Sequence, residues 1–254
     1  MLIALGFVQF SCSKKDAPEP TAEELAHQAD VTAANSIITV EMILNELEYI
    51  MKQAPNNPTE TSFLNCATIT RQQLANSFQI EASFSPTAVC SDNISRSGKL
   101  IINYPTGTGN ATVKSEGYKV NTLALSGNFS FQQVTENQKP LLRLLVPDGE
   151  LSVASGDYIR FNVDRKSFFK EGHTTNQLTD DVYEISSATY DLQLKNQSQI
   201  THIDAESDLP YLVTYSCNDK FRPRSGKFSF MRTNGTERLV SFGNGACSDQ
   251  AVFQ

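Results

Sequence analysis

Residues able to cut, transfer or chelate are sparse in this chain of 254 residues. Its three histidines are His27, His173 and His202. His202 and Asp204 alternate in Thr201-His202-Ile203-Asp204, so a strand would project both from one face, where they could share a metal. No sequence neighbour completes that site, and a solvated edge strand accounts for the pair. Asp180, Asp181 and Glu184 form the densest acidic cluster in the second half; their oxygens suit calcium, but Asp-rich turns before strands are also common. The G-x-S-x-G, H-E-x-x-H and P-loop signatures are absent. The reading is of a chain with no catalytic residues, no metal and no cofactor, and hence not an enzyme.

Two Arg-Ser-Gly-Lys segments stand out. Arg96 and Lys99 in the first, with Arg224 and Lys227 in the second, could build a symmetric basic patch that contacts an anion such as a phosphate, sulfate or acidic glycan. The structural alternative is that charges flank a glycine where a strand begins, supplying solubility around a flexible backbone. Asn93, Asn110, Asn128, Asn196 and Asn234 open N-x-[ST] sequons, read here as an Asn/Ser/Thr-rich surface.

The cysteines point to export. Cys12 lies where a short apolar run, Met1 to Phe10, meets the polar stretch Ser13-Lys14-Lys15-Asp16. That run is too short to span a bilayer, which needs roughly 20 residues, but it suits a signal-peptide core. Cleavage before Cys12 would leave a lipidated N-terminus. Gln9-Phe10-Ser11 departs from the usual lipobox and no basic residue precedes Cys12; a start codon further upstream would explain both. Removing Cys12 leaves four cysteines, Cys66, Cys90, Cys217 and Cys247. Of three possible connectivities, pairing in sequence order is expected, because each pair then brackets one short hairpin-like unit.

The elements that must position these residues follow from periodicity. Thr21 and Glu24 form a capping-box pattern ahead of an apolar stripe at spacings of three and four: Leu25, Ala29, Ala33, Ile37, Val40, Leu44, Leu47 and Met51. The stripe predicts an amphipathic helix over 21–55, packed by one face on the domain it precedes or serving as a stalk. From Phe63 onward the period becomes two. Phe78, Ile80 and Ala82, then Leu100 and Ile102, then Ile159, Phe161 and Val163, alternate with polar neighbours as in antiparallel strands. Pro105 to Asn110, Pro147-Asp148-Gly149, Ser155-Gly156-Asp157 and Thr233-Asn234-Gly235 read as turns. The polar stretch from Lys170 to Asp181 reads as a loop or a seam between halves.

An internal echo relates Cys90-Ser91-Asp92 and Arg96-Ser97-Gly98-Lys99 to Cys217-Asn218-Asp219 and Arg224-Ser225-Gly226-Lys227. These segments, with Cys66-Ala67-Thr68-Ile69-Thr70, Tyr118-Lys119-Val120-Asn121, Asp180 to Ile185 and Phe242-Gly243-Asn244-Gly245-Ala246-Cys247, resemble a group of uncharacterised cell-envelope lipoproteins of the Bacteroidota. The resemblance covers most of Cys66 to Val252 and implies an envelope lipoprotein without a known activity. Two features depart from that group: this chain has no Trp, and its second half keeps a full Arg-Ser-Gly-Lys. In that phylum, charges after the lipidated cysteine can direct a protein to the outer surface, and Ser13-Lys14-Lys15-Asp16 is a partial version.

The expected organisation is a signal peptide over 1–11, a tether over 12–20, the helix over 21–55 and a β-domain over 62–254 with a possible internal duplication. The expected fold is mainly β, an antiparallel β-sandwich or curved meander sheet with one N-terminal α-helix. The net charge of −7 argues against nucleic acid as a partner. The expected partners are a membrane, through the N-terminal lipid, and a glycan or an envelope protein. The leading expectation is a non-enzymatic binding or structural module on an outer-membrane lipoprotein facing the cell surface. The alternative is a periplasmic-side carrier sheltering a lipid or other apolar ligand in a pocket lined by Leu123, Leu125, Phe129, Phe131, Leu142 and Leu144.

Overall fold

The computed structural model describes residues 20–56, 63–86, 90–172, 180–195, 200–205, 210–217, 221–233, 235–247, 249 and 251–253. Cys12, the 1–11 signal segment, most of the tether, His173 and Asn234 lie outside them.

The first element is one long helix, α1 (Ala22–Gln53), free of Gly and Pro throughout. Its start is the expected capping box: the Glu24 amide donates to Thr21 Oγ1 at 3.2 Å, and the Thr21 amide donates to Glu24 Oε2 at 2.7 Å. At 32 residues it is about 48 Å long. At its C-terminal end Ile50 O and Gln53 O accept from the amides of Ala54 and Asn56, and the sheet supplies further donors. The Tyr104 hydroxyl donates to Met51 O at 2.6 Å, and the Arg71 guanidinium donates to Ala54 O at 3.0 Å.

Among the described residues, a short 3-10 turn (Phe63–Cys66) leads into a single antiparallel sheet of fourteen strands. They are β1 (Ala67–Gln73), β2 (Ser77–Phe84), β3 (Arg96–Pro105), β4 (Ala111–Val120), β5 (Leu123–Ser126), β6 (Asn128–Glu136) and β7 (Lys139–Ser152). Then come β8 (Tyr158–Glu171), β9 (Val182–Leu194), β10 (Ile200–Ala205), β11 (Tyr211–Thr214), β12 (Ser225–Arg232), β13 (Glu237–Asn244) and β14 (Val252–Phe253). Most neighbours in sequence are neighbours in space. Two places double up: β5 and β6 both bridge β4 and β7, while β10 and β11 both bridge β9 and β12. Of the two expected architectures the meander holds and the sandwich does not.

This sheet curls around α1. Strands spread across the sheet send side chains to it: Tyr104 of β3, Tyr118 of β4, Arg165 of β8, Arg232 of β12 and Arg238 of β13, while Arg71 of β1 holds Ala54 just beyond its end. Every residue from Ile43 to Met51 is buried. The C-terminal half of the helix is therefore an enclosed core element, where its sequence pattern suggested one buried face, while residues 22–28 stay exposed. Ile37, Val40, Leu44, Leu47 and Ile50 meet Leu100, Phe129, Phe131, Leu144, Tyr190 and Phe230 in one continuous core. Of the expected stripe, Leu25 alone stays clearly exposed, at 52 %.

Both disulfides pair in sequence order, Cys66–Cys90 and Cys217–Cys247. Each closes the corner that leads to an Arg-Ser-Gly-Lys segment. There the echo is structural: Gly98 and Gly226 both take positive φ, and pairing shifts register at each. A Cβ on Gly98 would lie 2.1 Å from Gly117 O, and one on Gly226 would lie 2.3 Å from Pro210 O. Both glycines are thus required twice over, by φ and by backbone approach. The expected turn at Pro147-Asp148-Gly149 is instead a bulge inside β7, with the register shifting between Val146 and Gly149. The other expected loop, between β8 and β9, falls largely outside the described residues.

Candidate functional site

Placement of the four basic residues overturns the idea of a shared anion patch. Arg96 and Arg224 are each 1 % exposed. Arg96 grips Glu46 through Nε at 3.1 Å and Nη2 at 2.8 Å, and Asp92 through Nη1 at 2.9 Å. Arg224 donates Nη1 to the Cys247 carbonyl at 3.2 Å. Lys99 is surface-lying but sits between Glu81 at 3.4 Å and Glu116 at 3.6 Å. Lys227 is half-buried on β12. Both arginines lie just before a bulge and face inward, Arg96 onto two carboxylates and Arg224 onto a backbone carbonyl.

A second interior cluster lies along the same helix. Arg165 donates to Asn45 Oδ1 at 2.7 Å, Glu48 Oε2 at 2.7 Å and Glu41 Oε2 at 3.1 Å. Asn45 in turn donates to the Phe221 carbonyl at 2.7 Å. Burial works against the Arg165 cation, but the two carboxylates outweigh it and hold its pKa above the ordinary arginine range. Glu41 is the strained member: burial pushes its pKa up against the pull of Arg165, and its Oε1 lacks a hydrogen bond. Glu48 is burdened by the same burial, yet Lys52 and Arg165 together hold its pKa down. Closed off from solvent and paired with one another, these groups fix the helix inside the sheet. They are not placed to meet a substrate.

The accessible geometry is on the outer face. A groove of about 890 Å³ crosses β4, β6, β7, β8 and β9. Cross-strand pairing explains its layout: Thr112 faces Ser130, Ser130 faces Leu145, Leu145 faces Asp164 and Asp164 faces Thr189, giving one row across five strands. Beside it run Lys114 opposite Asn128 and Asn162 opposite Asp191. Five strands at sheet spacing make the row roughly 19 Å long. An adjoining hollow of about 410 Å³ shares Pro147, Asn162 and Asp191 and continues past Glu150, Arg160 and Gln193. The face is depressed here because two irregularities coincide. The chain breaks between β5 and β6 at Gly127 (φ 125°), and the β7 bulge passes beside it.

Leu145 and Pro147 give the groove an apolar floor strip, while Asn128, Asn162, Asp191 and Thr112 are exposed along it. Asp164 is held by Arg143 Nε at 2.8 Å, and Glu150 by Arg160 Nε at 2.8 Å. Across groove and hollow, Lys114 and Arg160 face Asp148, Glu150, Asp164 and Asp191, so the lining is acidic on balance. An anionic ligand is disfavoured there. Backbone register carries the rows on to β10, with His202 opposite Asp191 and Asp204 opposite Thr189. Among the described residues no group of three or more His, Cys, Asp or Glu is placed to hold a metal ion.

Sequence reading alone did not single out this groove. Its trace was the sequon Asn128-Phe129-Ser130, whose outer residues face the groove while Phe129 is buried. No family model, curated protein or solved structure matches the chain.

Proposed function

We propose that this chain is an outer-membrane lipoprotein, anchored through acyl chains on Cys12, whose outer-face groove binds a neutral or amine-bearing glycan at the cell surface without chemical turnover. The observation that carries this reading is the row Thr112, Ser130, Leu145, Asp164 and Thr189 across five strands, polar except at Leu145 and flanked by the pairs Lys114–Asn128 and Asn162–Asp191. Amides, hydroxyls and carboxylates offer donors and acceptors together, which suits a ligand dense in hydroxyls. The row's length suits an extended chain of sugars. A protein partner fits less well. Among the described residues the exposed large apolar side chains are Leu25, Leu74, Phe169, Met231 and Val252, and none of them lies in the groove, so it lacks the anchors of a protein hot spot.

Two disulfides favour an oxidising compartment, in keeping with export. Among the described residues no helix is long and apolar enough to cross a membrane. The carrier alternative meets an obstacle inside the sheet. Leu125, Phe129, Phe131 and Leu144 are buried in the core that α1 fills, where a deep ligand pocket would have to be.

Incorporation of labelled palmitate, with and without Cys12→Ala, tests the anchor; protease shaving of intact and lysed cells tests the orientation. A panel of immobilised neutral, aminated and sulfated glycans tests the ligand. Retention on neutral or aminated chains supports the reading, and retention on sulfated chains alone overturns it.

A further inference from the structure

A separate cavity of about 540 Å³ opens where α1 ends, on the inner face of the sheet at its mouth. Its walls are largely apolar, with Pro140 and Leu142 on one side and the rings of Phe169 and Tyr183, 5.0 Å apart, on the other. Its volume is in the range of small-molecule sites. One cation reaches it, Lys52 from the last turn of the helix, with a side chain 19 % exposed.

The surroundings of Lys52 are specific. Its ammonium bonds Glu48 Oε1 at 2.6 Å and sits 3.4 Å from the centre of the Tyr183 ring. An ammonium has three N–H donors; the carboxylate uses one, the ring face takes a second, and one is left for an acceptor in the cavity. The Tyr183 hydroxyl is already committed, donating to Asp181 Oδ2 at 2.6 Å. Glu48 is shared between Lys52 and Arg165, so two cations lean on one carboxylate at this end of the helix. Burial pushes Lys52 down and Asp181 up, each toward its neutral form, while Glu48 draws Lys52 back toward its charged one.

We propose that this mouth cavity binds an amphipathic carboxylate, a free fatty acid being the simplest, with its head on Lys52 and its chain against Leu142, Pro140 and Phe169. It is distinct from the outer-face groove and does not depend on it. Of the six residues expected to line an apolar pocket, Leu142 alone reaches this one.

The test is a fluorescence titration of the full chain with a dansyl-labelled medium-chain fatty acid and with the matching alcohol. The acid saturates and binds at least tenfold tighter than the alcohol. Lys52→Met, which keeps the packed stem, removes that preference. Phe169→Asp, at a site already 39 % exposed, abolishes binding of both without disturbing the fold. Asn162→Ala in the outer groove leaves the titration unchanged, which separates this site from the glycan reading. Equal binding of acid and alcohol, indifference to both substitutions, or no saturable binding overturns the proposal.

Discussion

Arg165 of β8 and Glu48 of α1 meet at 2.7 Å with their side chains only 1 % and 3 % exposed. Desolvating such a pair costs several kcal/mol, so its net contribution to stability is small while its rupture is expensive. Arg165→Met should therefore destabilise by about 3–5 kcal/mol, read as a lower urea midpoint. Adding Glu41→Leu should recover part of that loss, because the carboxylate left behind is removed too. Equal losses in the single and double variants would show that packing of the arginine stem, not charge, is what matters.

The same cluster sets a dependence on pH. Glu41 has its folded pKa raised by burial, so its contribution is full below the ordinary carboxylate range and is lost as pH rises through the folded value. Glu48 has its folded pKa lowered, so its contribution is full above that range and is lost on acidification. Glu41→Gln should gain stability relative to the native chain as pH is raised from about 4.5 toward neutrality. Paired urea titrations at several pH values measure this, and a pH-independent difference would rule out ionisation of Glu41 as the cause.

Gly98 and Gly226 make equivalent bulges in distant strands. Gly98→Ala and Gly226→Ala should each cost at least about 1–3 kcal/mol, since each combines a strained φ with contact against backbone. Gly107→Ala, where φ is also positive but nothing lies within 4 Å of the added carbon, should cost less. Thermal melts of the three variants give the order directly.

Removing Cys66–Cys90 or Cys217–Cys247 by paired serine substitution should cost about 2–5 kcal/mol each. Peptide mapping without reductant should recover the two sequential pairs and no crossed ones.

What the sequence made legible is what is local. The capping box at Thr21 and Glu24, the period-two strands and the sequential cysteine pairs all depend on residues close in the chain. The enclosure of α1 was hidden, because Glu41, Asn45, Glu46 and Glu48 look like a solvated face. Their partners Arg96 and Arg165 lie from 50 to 124 residues away. Arg96 and Arg224 were misread as surface groups for the same reason, although the glycines between them and their lysines were understood correctly. The groove was illegible because no single strand contains it. Thr112, Ser130, Leu145, Asp164 and Thr189 become a row only through the register of five strands.

The outer-face groove is proposed to bind a glycan that is not anionic. Isothermal titration of the native chain and of Asn162→Trp, which fills the groove where it joins the adjoining hollow, tests it most directly, with chitosan, neutral glucan and heparin oligosaccharides as probes. Saturable heat with chitosan or glucan, lost in Asn162→Trp and absent with heparin, is the predicted result. Tighter binding of heparin, or a titration that Asn162→Trp leaves unchanged, would contradict it.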